Sequence, residues 1–373
     1  MLGRRCSTLV SLAAAAIVGG SIAPVWAAGQ AGAATRPGNV TIYLAPNGKD
    51  SNGGTSSSSP LLTLAQAQAV LTKLNPTGNV TVLIKQGTYK ASAITWSFYV
   101  PGHTVSFMPI NYKVGGGRPA GGDPVFLDPT SGGKYIGQTW FTAILPTASS
   151  NSLHNGGNTG LRFYYLEVED YTQGISFNGQ AGHSYHNNTF YIQPSIGVNG
   201  NDVSGMTFYD IGDKYAPGQT GYGDILFTDS SHDTIYNNTF DNFYNGDDHD
   251  QLHALYITHF SSSNTVDHNL FENSNGEAVK VRDRSNYNNV YSNTFKSTGG
   301  VSAYLDDFCD QACVNANSGK YRECASYGNR FADNVIESNT WWDLIPPGET
   351  YAGGSGCSIP SGQVRLNTTG NKT

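Results

Sequence analysis

Along most of the chain apolar and polar residues alternate in short stretches instead of recurring at helical spacing. In His253-Ala254-Leu255-Tyr256-Ile257-Thr258 the apolar positions are Leu255 and Ile257, and in Glu277-Ala278-Val279-Lys280-Val281-Arg282 they are Val279 and Val281. A period of two places one side of a strand on a core and the other outward. A second pattern recurs around these strands: Tyr185-His186-Asn187-Asn188-Thr189-Phe190, Tyr236-Asn237-Asn238-Thr239-Phe240, Asp267-His268-Asn269-Leu270-Phe271 and Tyr291-Ser292-Asn293-Thr294-Phe295, with a looser copy at Ala332-Asp333-Asn334-Val335-Ile336. In the best-ordered region adjacent copies start 31 and 24 residues apart, and other gaps are longer. That uneven period is one turn of a coil with loops of variable length. Such strands cannot close a core singly, so the coils must stack into a solenoid. Aligning backward from the Asn-x-Phe units brings Asp224-Ile225-Leu226-Phe227 into register with the two strands above. The Asn at each turn suits left-handed backbone and can hydrogen-bond its equivalent in the next coil.

One stretch departs from the pattern. Thr63 to Leu71 reads as an amphipathic helix with Thr63 as N-cap. Val80 to Ile84, then Gly87-Thr88-Tyr89, reads as the first strand of the first coil. A helix over the open end would shield its strand edges. The expected fold is all-β: a single-stranded right-handed parallel β-helix with an N-terminal capping helix. No linker splits it, so one domain is expected over 29–373, with 29–90 the cap and first coil.

Composition agrees, with 45 Gly, 22 Tyr and only 13% charged residues, a turn-rich and strand-rich mixture. Residues 1–28 read as a signal peptide: Arg4 and Arg5, an apolar run from Leu9 to about Ile22, and a small-residue cleavage site at Val25-Trp26-Ala27. The run is short and rich in Ala and Gly, which argues against a membrane anchor. A secreted, extracellular protein is expected, without a membrane partner. Cleavage takes the formal charge from −7 to about −9, because Arg4 and Arg5 leave and no acids do. An acidic chain lacks the basic field that nucleic acid demands. Four cysteines remain, Cys309, Cys313, Cys324 and Cys357, and they suggest two disulfides stapling a C-terminal region over 305–373. Their spacing, with 3, 10 and 32 residues between them, fits no common zinc pattern.

The segment Ile42-Tyr43-Leu44-Ala45-Pro46-Asn47-Gly48-Lys49-Asp50, followed by Gly53-Gly54-Thr55 and Ser59-Pro60-Leu61-Leu62-Thr63-Leu64, resembles the start of many secreted pectate-lyase-like β-helix proteins. The Asn-x-Phe coils continue that resemblance to about residue 340. Within the superfamily, Gly276-Glu277-Ala278-Val279-Lys280-Val281-Arg282-Asp283 resembles the strand carrying the basic residues of alginate-lyase-like polysaccharide lyases. The resemblance implies a polysaccharide lyase with a lysine base. The same fold hosts hydrolases, epimerases and non-catalytic adhesins, so activity has to be argued from the site.

Ionisable residues concentrate between Asn245 and Arg284. The register puts Tyr256 and Lys280 at equivalent outward positions on adjacent coils, about 4.8 Å apart. Lys280, Arg282 and Arg284 share parity, which predicts three cations in a row on an acidic protein. Such a row beside a tyrosine suits β-elimination on a uronic acid, which needs a neutralised carboxylate, a base for the C5 proton and an acid for the leaving oxygen. Arg282 is the candidate carboxylate clamp, since its planar fork binds bidentately. Lys280 is the candidate base, because neighbouring cations disfavour its charged form. Tyr256 is the candidate acid, with Arg284 or His253 as substitutes. Arg284, His253, His259, Tyr244 and Tyr222 are the candidate substrate-binding residues, the last two as groove walls. A Lys/Arg row is ordinarily a solvated face, and Tyr256 alone reads equally as a rung of an aromatic ladder; the clustering with histidines and carboxylates is what argues for a site. The expected partner is an extracellular acidic polysaccharide, alginate-like first, met by a monomer.

Rival readings share the fold. Asp247 and Asp248, with His253 and Lys280, faintly resemble the polygalacturonase arrangement of paired aspartates, although neighbours on one strand point to opposite faces. The loop Gly246-Asp247-Asp248-His249-Asp250, or Glu277, is also where Ca²⁺ would bind, given enough converging oxygens. A carbohydrate-binding β-helix without catalysis is the third reading.

Overall fold

The computed structural model describes residues 36–131, 134–145, 158–179, 197–217, 220–246, 251–297, 302–310, 313, 315, 323–337, 341–345 and 358–373. The expected signal peptide, the Asn-x-Phe copy at 185–190, the acidic stretch 247–250 and Cys357 lie outside them. Among the described residues each coil visits three sheets in turn. The first runs from Val40–Leu44 to Leu366–Asn367 in ten strands; the second, from Thr88–Lys90 to Val335–Ile336, and the third, from Ile94–Trp96 to Trp342–Ile345, have eight each. Pairing within all three is parallel. The chain is a parallel β-helix, as its alternation and repeats predict. No helix among the described residues is long and apolar enough to cross a membrane.

Two features of the repeat build the stack. The Phe of each described motif points inward, and with Phe208 of the preceding coil they form a stack, Phe208, Phe240, Phe271 and Phe295, with centroids 5.1, 4.9 and 4.8 Å apart. In the described copies the Asn two places before the Phe, or before Ile336, forms a buried ladder. Asn238 N donates to Asn269 Oδ1, Asn269 N to Asn293 Oδ1 and Asn293 N to Asn334 Oδ1, each at 2.9 Å, and Asn334 N donates to Asn371 Oδ1 at 3.0 Å. Each ladder amide also donates back to a carbonyl of the preceding coil, as Asn269 Nδ2 does to Ile235 O at 2.8 Å. The left-handed residue is the one before: Asn237, His268, Ser292 and Asp333 have φ between 55° and 57°. A second ladder, Asn201–Asp233–Asn264–Asn288–Asn329, runs along the turn that enters the first sheet.

The N-terminal cap is a helix over Leu64–Leu74, one turn longer than expected, whose first turn is closed by Thr63 accepting from Gln66 N at 3.1 Å. Leu64, Ala67 and Leu71 face the core. Gln68 reaches the edge strand Ile94–Trp96 of the third sheet, donating to Thr95 O at 3.0 Å and accepting from Ser97 N at 2.7 Å. A helix side chain thus satisfies main-chain groups that an exposed edge would leave open. Val80–Ile84 is not the first strand: Val40–Leu44 precedes it and pairs with it along its whole length.

At the other end Cys309 and Cys313 are joined, and Cys324 is disulfide-bonded as well. In the strand Tyr304–Asp307, Asp306 points into the core and meets Arg365 Nη2 at 2.6 Å, both being buried. Alternation puts its neighbour Asp307 outward, level with Arg282.

Candidate active site

The outward face of the third sheet carries the predicted column. Tyr256 and Lys280 are register partners on the adjacent strands His253–Thr258 and Val279–Arg282, and Lys280 pairs onward with Leu305. Leu255, Ile257, Val279 and Val281 hold the same strands to the core, which fixes the parity of Tyr256, Lys280 and Arg282. Lys280 Nζ lies 6.0 Å from the Tyr256 ring centroid. The Arg282 charge acts on the Tyr256 hydroxyl.

The neighbours of these cations are largely anionic. Asp307 Oδ2 is 3.4 Å from Lys280 Nζ, and Asp307 Oδ1 is 3.8 Å from Arg282 Nε. Glu323 Oε2 accepts from Arg282 Nε at 2.7 Å. The expectation that Lys280 is surrounded by cations is therefore corrected: its nearest charged partner is a carboxylate. Neither Asp307 nor Glu323 was foreseen. Asp307 could have been found by carrying the register one coil further, whereas Glu323 comes from a loop that no repeat indexes.

Behind the column His253 is 1% exposed and lies edge-on to Tyr256, with ring centroids 5.0 Å apart. Its Nδ1 is 3.0 Å from Glu277 Oε2, although neither atom makes a well-directed hydrogen bond. Burial, reinforced by the Lys280 charge, lowers the His253 imidazole below its ordinary value against the pull of Glu277. For Glu277 burial acts upward but is outweighed by His253 and Lys280, which hold the carboxyl below the usual range. Burial pushes the Tyr256 phenol well up, and Arg282 offsets only part of that. Burial acts downward on Arg282 and is outweighed by Tyr256, Asp307 and Glu323, which keep the guanidinium charged. The arrangement offers a protonated phenol, an ammonium–carboxylate pair and a fixed guanidinium on one face.

The remaining candidates are placed differently. Arg284 does not extend the row, because the strand ends at Arg282 and both Asp283 and Arg284 have positive φ, 48° and 57°. The turn carries Arg284 over the Phe260 ring, 5.4 Å from its centroid, and against Asp283. His259 joins the same corner, its Nδ1 2.9 Å from the buried Asp283 Oδ2. Tyr222 is 46% exposed, and its carbonyl accepts from His253 N, so it borders the site. Tyr244 is half-buried beneath Lys214, whose Nζ is 4.0 Å from its ring centroid. Among the described residues no three His, Cys, Asp or Glu side chains converge as a metal would require, and the expected calcium loop over 247–250 lies outside them.

No family model and no curated protein matches the chain. Its architecture is similar to solved structures, all distant. A pectate lyase shares 14% identity over 90% of this chain and 79% of its own, with a TM-score of 0.46. A rhamnogalacturonan lyase shares 10% over 89% and 87%, TM-score 0.32. The catalytic domain of an α-1,3-glucanase bound to nigerose shares 13% over 84% and 46%, TM-score 0.40. At such distances the likeness concerns architecture; the function has to come from the site.

Proposed function

We propose that the chain is a secreted polysaccharide lyase that cleaves a uronate-containing polymer, alginate-like first, by β-elimination. The reading is carried by the Tyr256–Lys280–Arg282 column on one outward face. Arg282 binds the substrate carboxylate and withdraws charge from it, which makes the C5 proton acidic. Lys280, once it has given its own proton to solvent, takes that proton; the electron pair becomes the C4–C5 double bond and the C4–O bond breaks. Tyr256, kept protonated by burial, gives its proton to the departing oxygen. Tyr222 borders the groove, and His253 with Glu277 supports the Tyr256 ring from behind.

A second reading, glycoside hydrolysis, is favoured by Asp307. Its carboxylate already faces both cations, and a hydrolase needs such a carboxylate more than a lyase does. A panel of acidic and neutral polysaccharides separates the two. Ultraviolet absorbance from unsaturated uronate ends identifies elimination, and new reducing ends without that absorbance identify hydrolysis. Retention on a polymer with neither signal leaves a binding protein.

A further inference from the structure

Glu323 lies behind the column and is 5% exposed. Its Oε2 accepts from Arg282 Nε and from Cys309 N, both at 2.7 Å. Each of those contacts is braced by a disulfide cysteine: Cys309 is bonded to Cys313, and Cys324, the residue after Glu323, is disulfide-bonded too. Cys324 is further tied to the end of the Arg282 strand, its N donating to Asp283 Oδ1 at 3.1 Å and its O accepting from Arg284 N at 3.1 Å. The other carboxylate near Arg282 is held differently, since Asp307 Oδ1 stands 3.8 Å away and makes no hydrogen bond. Of the two, only Glu323 makes a short charge-assisted bond.

A guanidinium is planar, so fixing Nε–H leaves the terminal NH₂ groups one plane in which to point. We propose that Glu323 is a positioning residue: a cystine-braced carboxylate that pins Arg282 Nε and so aims the terminal NH₂ groups at the substrate carboxylate. The substrate named here rests on the β-elimination reading; the pinning does not. A side chain locked by buried partners is what a clamp needs in order to bind without reorganising.

The test uses the full chain with ¹⁵N-labelled arginine, the Arg282 Nε–H signal being assigned by its loss in Arg282→Lys. In the wild type this proton exchanges slowly, and Glu323→Ala speeds exchange by about tenfold or more. Glu323→Gln, which keeps an acceptor oxygen without the charge, gives an intermediate rate, and it carries the measurement should the alanine variant fail to fold. Cys309→Ser with Cys313→Ser speeds exchange in the same direction. On a cleaved uronate polymer Glu323→Ala lowers kcat/KM by roughly 30-fold, and adding it to Arg282→Ala costs nothing further, because both changes disable one unit. Unchanged exchange in Glu323→Ala overturns the proposal, as does a double variant slower by the full product of the two single effects. Should the wild type cleave no polymer, the elimination reading falls and the exchange rates still decide whether Glu323 pins Arg282.

Discussion

The Asn ladder and the outer side of the third sheet both bury polar side chains, and they treat them in opposite ways. In the ladder Asn238, Asn269, Asn293, Asn334 and Asn371 pass hydrogen bonds from coil to coil, and their amides return to nearby carbonyls. On and beside the third sheet, Asn178 Oδ1, Thr258 Oγ1 and both carboxylate oxygens of Asp224 and of Asp229 are buried without a hydrogen-bond partner. His253 Nδ1, Glu277 Oε2 and Asp307 Oδ1 lack one too, although charged groups stand close. Native proteins pair nearly all buried polar atoms, and each exception calls for a reason. The ladder shows that this fold can saturate a polar column five residues deep. A neighbouring face left unsaturated is therefore one where stability has yielded to another demand.

The widest separation of the two regions comes from Lys280→Ala. It should lower turnover by about a thousandfold or more while leaving Tm within about 2 °C, since the side chain belongs to the unsaturated face. Initial rates and a thermal scan check this; near-wild-type turnover removes Lys280 from the chemistry. Asn269→Ala should do the reverse. It leaves Asn238 N without its acceptor and removes one partner each from the Asn238 amide, Asn293 Oδ1 and Ile235 O, a loss of about 3–5 kcal/mol by chemical denaturation, with the folded fraction as active as wild type. A drop in specific activity as large as the drop in stability would merge the two regions.

A weaker effect follows from pH. Burial, unopposed by any hydrogen bond, raises Asp229 from 3.8 to about 7 and raises Asp224 well above 3.8. Both carboxyls are raised on folding, so their contribution is full below about pH 4 and is lost as pH rises through the folded value, which for Asp229 is about 7. His253, lowered by burial, works in the opposite sense below its ordinary value of 6.5. Asp233 and Asp306 are raised by burial to about 7 as well, so the raised acids outnumber the lowered base and Tm should fall by several degrees between pH 5 and pH 8. Asp229→Asn should flatten that slope, and a Tm that rises over this range contradicts the assignment. Smallest of all, Thr258→Val removes a buried hydroxyl that has no partner and should be neutral or stabilise by about 0.5–1 kcal/mol, where the same exchange in a saturated network would cost stability.

Much of this was legible in the sequence because it repeats. Alternation in His253–Thr258 and Glu277–Arg282, indexed by the Asn-x-Phe turns, was enough to pair Tyr256 with Lys280. The same rule failed at Arg284, where two successive left-handed residues end the strand, and polar Asp283 gives little warning that it will turn. It also left Asp306 and Asp307 undivided. One completes a buried pair with Arg365, which is 59 residues away, and the other faces Lys280. Glu323 was out of reach for a different reason: its position depends on a disulfide-linked loop 41 residues beyond Arg282, and loops carry no period.

The ladder bonds link turns separated by 31, 24, 41 and 37 residues with nearly the same geometry. Each turn offers the next an identical socket and ignores how much chain was spent reaching it. For heredity that makes the coil a unit in itself: a duplication or loss that begins and ends at the Asn leaves no orphaned group in the ladder, and loops can lengthen while the column keeps its register. The outer face can thus diversify faster than the spine that carries it.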